Sequence, residues 1–509
     1  EIAITNPNPV TNDYKELVLN ANEQKAISWE TFGVTGSNAA QLEVSSFPSI
    51  DFNSRLNYLI QYPHGCLEQT TSGVFPQLYL SDVIDIDKRK QESVQRNVVA
   101  GISKLASFQL TNGGFAYWPG LSVADDWSTS YAGHFLIEAE AKGYILPIDF
   151  KSKWIAYQQK ASKQWRMETH QGSDFAQAYR LYTLALAGSP DLASMNRLRE
   201  TVGISNETRL RLAAAYALAG QKNAGNDLLS QSSIDNTNSA YNYFYYGSAE
   251  RNRAMVLETL LLLKQTAKAF PLATRIAKDL SSGTWMSTQT TSYSLYAISR
   301  FAKMNGGKGV NIQYTYQGKN QQIQTAKAFA DRKLDVTRGD NSIVLKNKDK
   351  NTIYVKVLNS GILPVGEEQV IQRNLSATVQ FQNRKGHAID IASLNQGTEF
   401  IALVTVKNQS LDRVENIALT QIIPSGWEIV NTRYTDYGAF GQNKADYTDI
   451  RDDRTSFYFG LNGSESRTFQ ILLNASYLGR YYLPGVQCEA MYDNSFLVRT
   501  KGQWIQVVK

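Results

Sequence analysis

Cys66 and Gln69 stand three residues apart in the run Tyr62-Pro63-His64-Gly65-Cys66-Leu67-Glu68-Gln69-Thr70-Thr71. Pro63 and Gly65 end one helix and Leu67–Leu80 can begin another, so Cys66 is expected at a turn beside a helix N-terminus. Backbone N–H groups at such a terminus favour a thiolate and lower its pKa. On a tight turn at this spacing a Cys Sγ can meet a Gln Cδ. Loss of ammonia then joins them in an internal thioester, an acyl group primed for attack because thiolate leaves easily. Such a bond survives only where water is kept out. Gly65 has no Cβ and lets the backbone approach closely. Against this stands a bland alternative: a lone Cys beside an apolar helix is most often a buried spectator, and Cys-x-x-Gln by itself carries little information.

The remaining candidates for chemistry are few. Cys488 is the second of two cysteines, too few for a disulfide framework or a Cys-rich zinc site. A Cys66–Cys488 disulfide would abolish the thioester; a free buried thiol is the expectation for Cys488. The four histidines, His64, His134, His170 and His387, show no spacing for metal ligation, and no metal or cofactor is expected. Each is more often a packing or surface residue than a catalytic one. Asp125-Asp126 marks a solvated helix start, and Trp118, Trp127 and Trp285 are expected in a core.

The 509 residues suggest about three domains. Hydrophobic residues are 42% and charged residues 19%, which excludes a disordered or low-complexity chain. The net charge of +6 comes without a Lys/Arg run, so nucleic-acid binding has no support. No apolar run is long enough for a membrane span. The chain begins at Glu1 with no leader, as an internal piece or a mature chain would.

Apolar alternation marks strands at Glu16–Leu19, Ala26–Glu30 and Gln41–Val44, too short a set for a complete sandwich. From Phe47 to Met304 the pattern turns helical: Asp51–Tyr62 sets Leu56, Leu59 and Ile60 on one face, and Glu92–Phe108 does the same with Val94, Val98, Ile102, Leu105 and Phe108. Leu-Ala-Leu-Ala-Gly ends at Gly188 and Tyr-Ala-Leu-Ala-Gly at Gly220, two helices closed by glycine. Thr129-Ser130-Tyr131-Ala132 is echoed by Thr291-Ser292-Tyr293-Ser294. Such repetition suggests stacked α-hairpins, in an open solenoid or a closed α/α toroid. Strands return at Val310–Tyr316, Ser342–Leu345, Thr352–Leu358, Glu399–Val406, Arg467–Leu473 and Trp504–Val508, with a linker from Pro364 to Arg373. The economical arrangement is α + β and multidomain: a split β domain hosting the helices, then a separate β-sandwich.

Gly-Cys-x-Glu-Gln is the thioester signature of the α2-macroglobulin and complement family, and the longer run around it resembles the family's bacterial branch. The slot between Pro and Gly, Tyr in that branch, is His64 here. Tyr482-Leu483-Pro484 and Glu489-Ala490-Met491-Tyr492-Asp493 are similar to that branch too. The resemblance implies a CUB-like β domain at 1–45 and 306–370, a helical thioester domain (an α/α toroid) at 46–305, and a macroglobulin-type β-sandwich at 371–509. It implies a C-terminal fragment of a broad-spectrum endopeptidase inhibitor. A protease cuts an upstream bait region, and one of its Lys amines or hydroxyls then attacks Gln69 while Cys66 leaves. Turnover is single, so this is an inhibitor and not an enzyme; proximity after capture supplies the rate. In that branch aromatic and Met side chains cover the bond, at positions matching Tyr62, Met491 and Tyr492; Gly65 and Glu68 support the motif. Some members first transfer the acyl group to a downstream His, which shifts preference toward hydroxyls. His170 is similarly placed, just before the helix Phe175–Ala187, but Trp165–Thr169 carry no family motif. Without such a His, amine selectivity is expected. The location implied is the periplasm or cell envelope, any lipid anchor lying upstream of Glu1; a cell-wall synthesis partner is not identified.

Two rival functions remain. A Cys66 hydrolase or transferase needs a His base at hydrogen-bond distance. A glycan- or peptide-binding toroid with an inert Cys66 needs a cleft with stacked Trp and paired carboxylates.

Overall fold

The computed structural model describes residues 6, 8, 10–46, 55, 58–59, 65–84, 86, 88–167, 173–235, 245–281, 285–305, 309–430 and 445–509. Tyr62, His64, His170 and most of the helix expected over 51–62 lie outside the described residues. Contacts divide the chain into two units. One holds Asp13–Glu30 and Ala39–Asn359; the other holds the chain up to Asn12, Thr31–Asn38 and Ser360–Lys509.

In the first unit, helices α1 (Leu67–Val74), α3 (Asp126–Ala141), α5 (Ser173–Leu186), α7 (Asn206–Leu218), α9 (Ala249–Leu262) and α11 (Thr288–Asn305) each pack on the next. Helix α11 packs back on α1, so the ring closes. The alternating helices α2 (Lys88–Ala106), α4 (Phe150–Gln164), α6 (Leu192–Glu200), α8 (Lys222–Ser230) and α10 (Thr266–Ser281) lie outside it: α4, α6 and α10 each pack on both inner helices that flank them in sequence, α2 packs on α1, and α8 on α7. The open solenoid is thereby excluded. Sequence dictates the two layers. Helix α3 is buried at every residue from Trp127 to Ala139, and α9 from Arg251 to Leu261, as helices walled on all sides must be. Helix α2 buries only the stripe Val98, Gly101, Ile102 and Leu105, and α10 a similar stripe from Ala269 to Leu280. The echo at Gly188 and Gly220 is a shared helix ending. Both glycines adopt positive φ, 75° and 78°, and the next residue's N–H returns to the carbonyl of Leu184 or Tyr216.

The same unit contains a β-sandwich. Its sheets run β2(Gln24–Glu30)-β7(Asp340–Asn347)-β4(Val310–Tyr316)-β5(Lys319–Thr325) and β1(Val10–Leu19)-β8(Ile353–Ile362)-β3(Ala39–Ser45)-β6(Phe329–Leu334). Strands from before and after the helices therefore share both sheets, β2 pairing with β7 and β3 with β6. Leu42, Ile312, Ile343 and Val357 fill the space between them. Strand β5 has only Ile323 buried, which explains why no apolar alternation marks it.

The second unit is β throughout. Strands β10 (Leu375–Gln382), β12 (Glu399–Asn408), β17 (Ser466–Ala475) and β14 (Trp427–Ile429) form one sheet. Strands β15 (Tyr447–Ile450), β16 (Arg454–Leu461), β13 (Val414–Ile422), β19 (Gln487–Ala490), β20 (Asp493–Arg499) and β9 (Ile371–Arg373) form a second. Phe400, Trp427, Phe457, Phe469 and Cys488 belong to their common core. The expected linker is partly structured: Ile371–Arg373 pair with β20, and Glu368 accepts hydrogen bonds from the Tyr482 hydroxyl and, at 2.9 Å, the Gly502 N–H. Among the described residues no helix is long and apolar enough to cross a membrane.

The ring's lumen is lined by buried polar groups. Glu258 on α9 accepts from Arg211 on α7 at 2.7 Å, Tyr182 on α5 at 2.6 Å, and Tyr293 and Tyr296 on α11 at 2.5 and 2.7 Å. Burial pushes its carboxyl up, but Arg211, His134 and Arg300 outweigh burial and hold it well below the usual carboxylate range. His134 on α3 sets Nδ1 on the Tyr179 hydroxyl at 3.1 Å and Nε2 on that of Tyr296 at 3.2 Å. Glu138 and Glu258 both lie 3.8 Å from Nε2. Burial dominates here: with Arg211 and Arg300 it outweighs the Glu258 charge, and His134 is lowered to about 3.

A neutral buried His fixes the sign of the acid response. The unfolded chain protonates His134 near ~6.5 and the folded chain does not, so stability falls by about 1.4 kcal/mol per pH unit as pH drops from ~6.5 toward 3. Glu258, held low, adds a loss in the same direction below its unfolded value of ~4.3. Urea unfolding at pH 6.5 and pH 5 should show a loss of about 2 kcal/mol in the wild type that is absent in His134→Gln. Equal losses in both would mean that His134 is charged in the folded protein.

Candidate functional site

Helix α1 begins at Leu67, and Cys66 is its N-cap, with extended backbone angles of −65° and 170°. Sγ accepts from the Gln69 N–H at 3.5 Å, and the Cys66 carbonyl takes the first helical bond, from Thr70 N–H at 2.9 Å. Oxygen-bearing side chains usually hold this cap; here sulfur does, over the open N–H groups of the first turn. Gln69 is therefore the third helical residue. Cap and third residue are the two partners of a capping box, in which the latter's side chain folds back toward the former. At this spacing a carboxamide that folds back can reach the thiol. Both residues are buried, Cys66 at 0% and Gln69 at 4% exposure.

Three groups hold this first turn. The Leu67 N–H donates to the Tyr117 carbonyl at 3.0 Å. Glu68, fully buried, accepts from Ser72 at 2.6 Å within α1 and from Thr288 on α11 at 2.9 and 3.1 Å. Ser72 also meets the Tyr131 hydroxyl at 3.0 Å, and Tyr131 donates to Ser292 at 2.9 Å, so the echoed Thr-Ser-Tyr segments of α3 and α11 meet beside α1. Gly65 has a different neighbour from the one expected: an added Cβ there would meet not backbone but the Lys104 ammonium, at 2.5 Å, the movable end of a long side chain.

Sequence reasoning missed Tyr117 and Tyr246. The Tyr117 phenol lies beside the Cys66 side chain; burial and that neighbour raise its pKa. Its ring stacks on Tyr246 with centroids 5.3 Å apart, and the Tyr246 hydroxyl donates to Asp125 at 3.0 Å. Asp125 also caps α3 by accepting from the Ser128 N–H at 2.7 Å. The available signal was weak: an aromatic cluster, Phe115-Ala116-Tyr117-Trp118, in the long α2–α3 connection.

The other candidates separate cleanly. Asp126 pairs with Arg180 at 2.7 Å, which leaves Asp125-Asp126 engaged in capping and an ion pair. Trp127 is 1% exposed and lies under the Arg251 guanidinium, 4.4 Å from its ring centre. His134 has both ring nitrogens on tyrosine hydroxyls and offers no base to Cys66. Cys66 and Cys488 are not joined in a disulfide. Cys488 sits in the core of the β unit opposite Leu419 and Val498, and burial pushes its thiol well above the usual range. Met491 and Tyr492 form the turn between β19 and β20 and are buried, at 1% and 4% exposure. Among the described residues no His, Cys, Asp and Glu cluster could hold a metal ion. Glu68→Ala would strand the Ser72 and Thr288 hydroxyls in a buried site; the expected loss is about 1–3 kcal/mol, seen as a lower urea midpoint at an unchanged slope.

Comparison with known proteins agrees with this architecture. Residues 41–174 match the A-macroglobulin TED domain, and residues 371–494 match the bacterial α2-macroglobulin MG10 domain. The α2-macroglobulin of Escherichia coli K12 is 24% identical over 489 residues, which cover 89% of this chain and 29% of that protein. That of Xylella fastidiosa is 25% identical over 495 residues, again 89% and 29%. The chain thus spans under a third of these relatives' length. Native E. coli α2-macroglobulin, from domain MG7 to its C-terminus, superposes with a TM-score of 0.82 at 21% identity, covering 98% of this chain and 82% of that one. Salmonella α2-macroglobulin reacted with methylamine gives 0.83 at 22% identity, covering 98% of this chain and 34% of that one. With one domain model over the segment that holds Cys66 and a second over most of the C-terminal strands, the chain belongs to the bacterial α2-macroglobulin family.

Proposed function

We propose that Cys66 Sγ and Gln69 Cδ form an internal thioester, and that the chain is the covalent-capture part of a protease inhibitor whose bait region lies upstream. The observation that carries this reading is a thiol at the N-cap of α1 with a glutamine at the third helical position, both buried, within Gly-Cys-x-Glu-Gln. A relative that has been reacted with methylamine supports it, since a small amine is the probe that a buried acyl group would take up.

Once a protease has cut the bait region and the site is open, a Lys amine of the protease attacks Gln69 Cδ. The C–S bond breaks, sulfur keeps the electron pair, and the proton leaves from the attacking nitrogen to water. The N-terminal end of α1 favours the negative charge that develops on Sγ. The product is an amide to Gln69 and a free Cys66, so the reaction runs once. A hydroxyl can replace the amine if His170 first accepts the acyl group. Tyr62, Met491 and Tyr492 are the proposed cover against water. The division into 1–45 with 306–370, 46–305 and 371–509 belongs to the same proposal, as does a periplasmic or cell-envelope location.

Intact mass tests the reading. The untreated chain should be lighter than its sequence by one ammonia. Methylamine should add once, at Gln69, and release one thiol; Cys66→Ala should have full mass and take up none. Full mass without uptake in the wild type would contradict the proposal, and a mass short by two hydrogens would point to a Cys66–Cys488 disulfide instead.

A further inference from the structure

The structure points to a role for Tyr117 that rests on the thioester reading: we infer that its hydroxyl is the hydrogen-bond donor that stabilises the departing Cys66 thiolate. Its backbone anchor and the packing of its ring place it there. The Tyr117 carbonyl accepts from the Leu67 N–H at 3.0 Å, which anchors its backbone to the residue after Cys66. Its phenol lies beside the Cys66 side chain. The ring is held from behind by Tyr246, stacked at 5.3 Å with 20° between the planes, and edge-on by Trp118 at 5.6 Å. Tyr246 is itself fixed by its hydroxyl on Asp125 at 3.0 Å. A phenol clamped on two sides keeps its O–H direction as charge develops, which is the requirement for preorganised stabilisation.

The protonation state suits a donor and not a base. Burial first, then the neighbouring Cys66, Tyr246 and Glu68, push the Tyr117 phenol well above its ordinary value, so it stays protonated. The step balances without transfer of that proton. The amine nitrogen bonds to Gln69 Cδ, the Cδ–Sγ bond breaks, Sγ takes the pair, and the amine proton goes to water. Tyr117 donates a hydrogen bond to the anion and remains neutral. A hydrogen bond to a charged group is worth roughly ten- to hundredfold in rate. If Tyr117 only covered the bond, removal of its hydroxyl would leave the rate unchanged or raise it.

Tyr117→Phe in the full chain keeps the ring and its stack on Tyr246. Two measurements are made in a Cys488→Ala background, which leaves Cys66 as the only thiol. The first is methylamine-driven thiol release, expected to slow roughly ten- to hundredfold in a variant whose untreated mass still shows the loss of ammonia. The second is the pH dependence of Cys66 alkylation after methylamine opening, expected to shift upward by about one unit because the thiolate has lost a donor. A purely structural role would not move that profile. A variant that reacts at the parent rate or faster, with an unshifted profile, overturns the proposal alone. A parent chain of full mass that takes up no methylamine overturns the thioester reading, and this proposal with it.

Discussion

The ring of inner helices closes where α11 meets α1, and the Glu68 carboxylate makes that closure. It accepts hydroxyls from both helices, from Ser72 and from Thr288, with no solvent in reach. Because Glu68 lies between Cys66 and Gln69, the interaction that shuts the ring also fixes the turn that carries them. A carboxylate in that place has two satisfied acceptor directions and one allowed position, so the first turn of α1 cannot slide or fray independently of α11. The starts of the other inner helices gather at the same end: Ser248 meets Thr290 at 2.9 Å, and Asp174 takes both the Ser205 N–H and the Thr208 hydroxyl at 2.7 Å. Cys66 is therefore capped onto a helix whose N-terminus is braced by its neighbours' N-termini.

Below that end, the lumen is held by charge and phenols instead of aliphatic side chains. Arg211 and Glu258 come from neighbouring helices α7 and α9 and are 1% and 2% exposed. Desolvation makes such pairs poor contributors to net stability, yet removal of one partner costs several kcal/mol, so they specify one arrangement more than they deepen it. Glu258 alone draws donors from three inner helices, α5, α7 and α11. That cross-bracing fits a scaffold that must present one turn in one geometry.

The sequence made local features legible and hid most long-range ones. Pro63, Gly65 and the apolar spacing after Cys66 point to a helix start, and α1 starts at Leu67. The two Ala-Leu-Ala-Gly endings exposed the hairpin repeat, because a glycine at positive φ is a local requirement of the chain. Whether the repeat closes was not legible, since closure depends on α11 reaching α1 through Thr288 and Glu68, far apart in sequence. His134 reads as an ordinary helix-face residue until α5, α9 and α11 surround it. Tyr117 and Tyr246 act at the site only through a stack between two loops. In the β regions, strands with a regular inward face, such as β4 and β12, announced themselves. β5 did not, because one buried Ile323 gives no period.

The central claim is an acyl bond from Gln69 to Cys66, and heat tests it most directly. In a thioester the Gln69 backbone nitrogen can attack its own activated acyl carbon, and the strained product breaks the chain between Glu68 and Gln69. Brief heating of the untreated protein in denaturant should yield two pieces that meet at that bond. The same chain treated with methylamine, or carrying Cys66→Ala, should remain whole. An untreated chain that stays intact on heating, or one that breaks there with Cys66 replaced, would contradict the account.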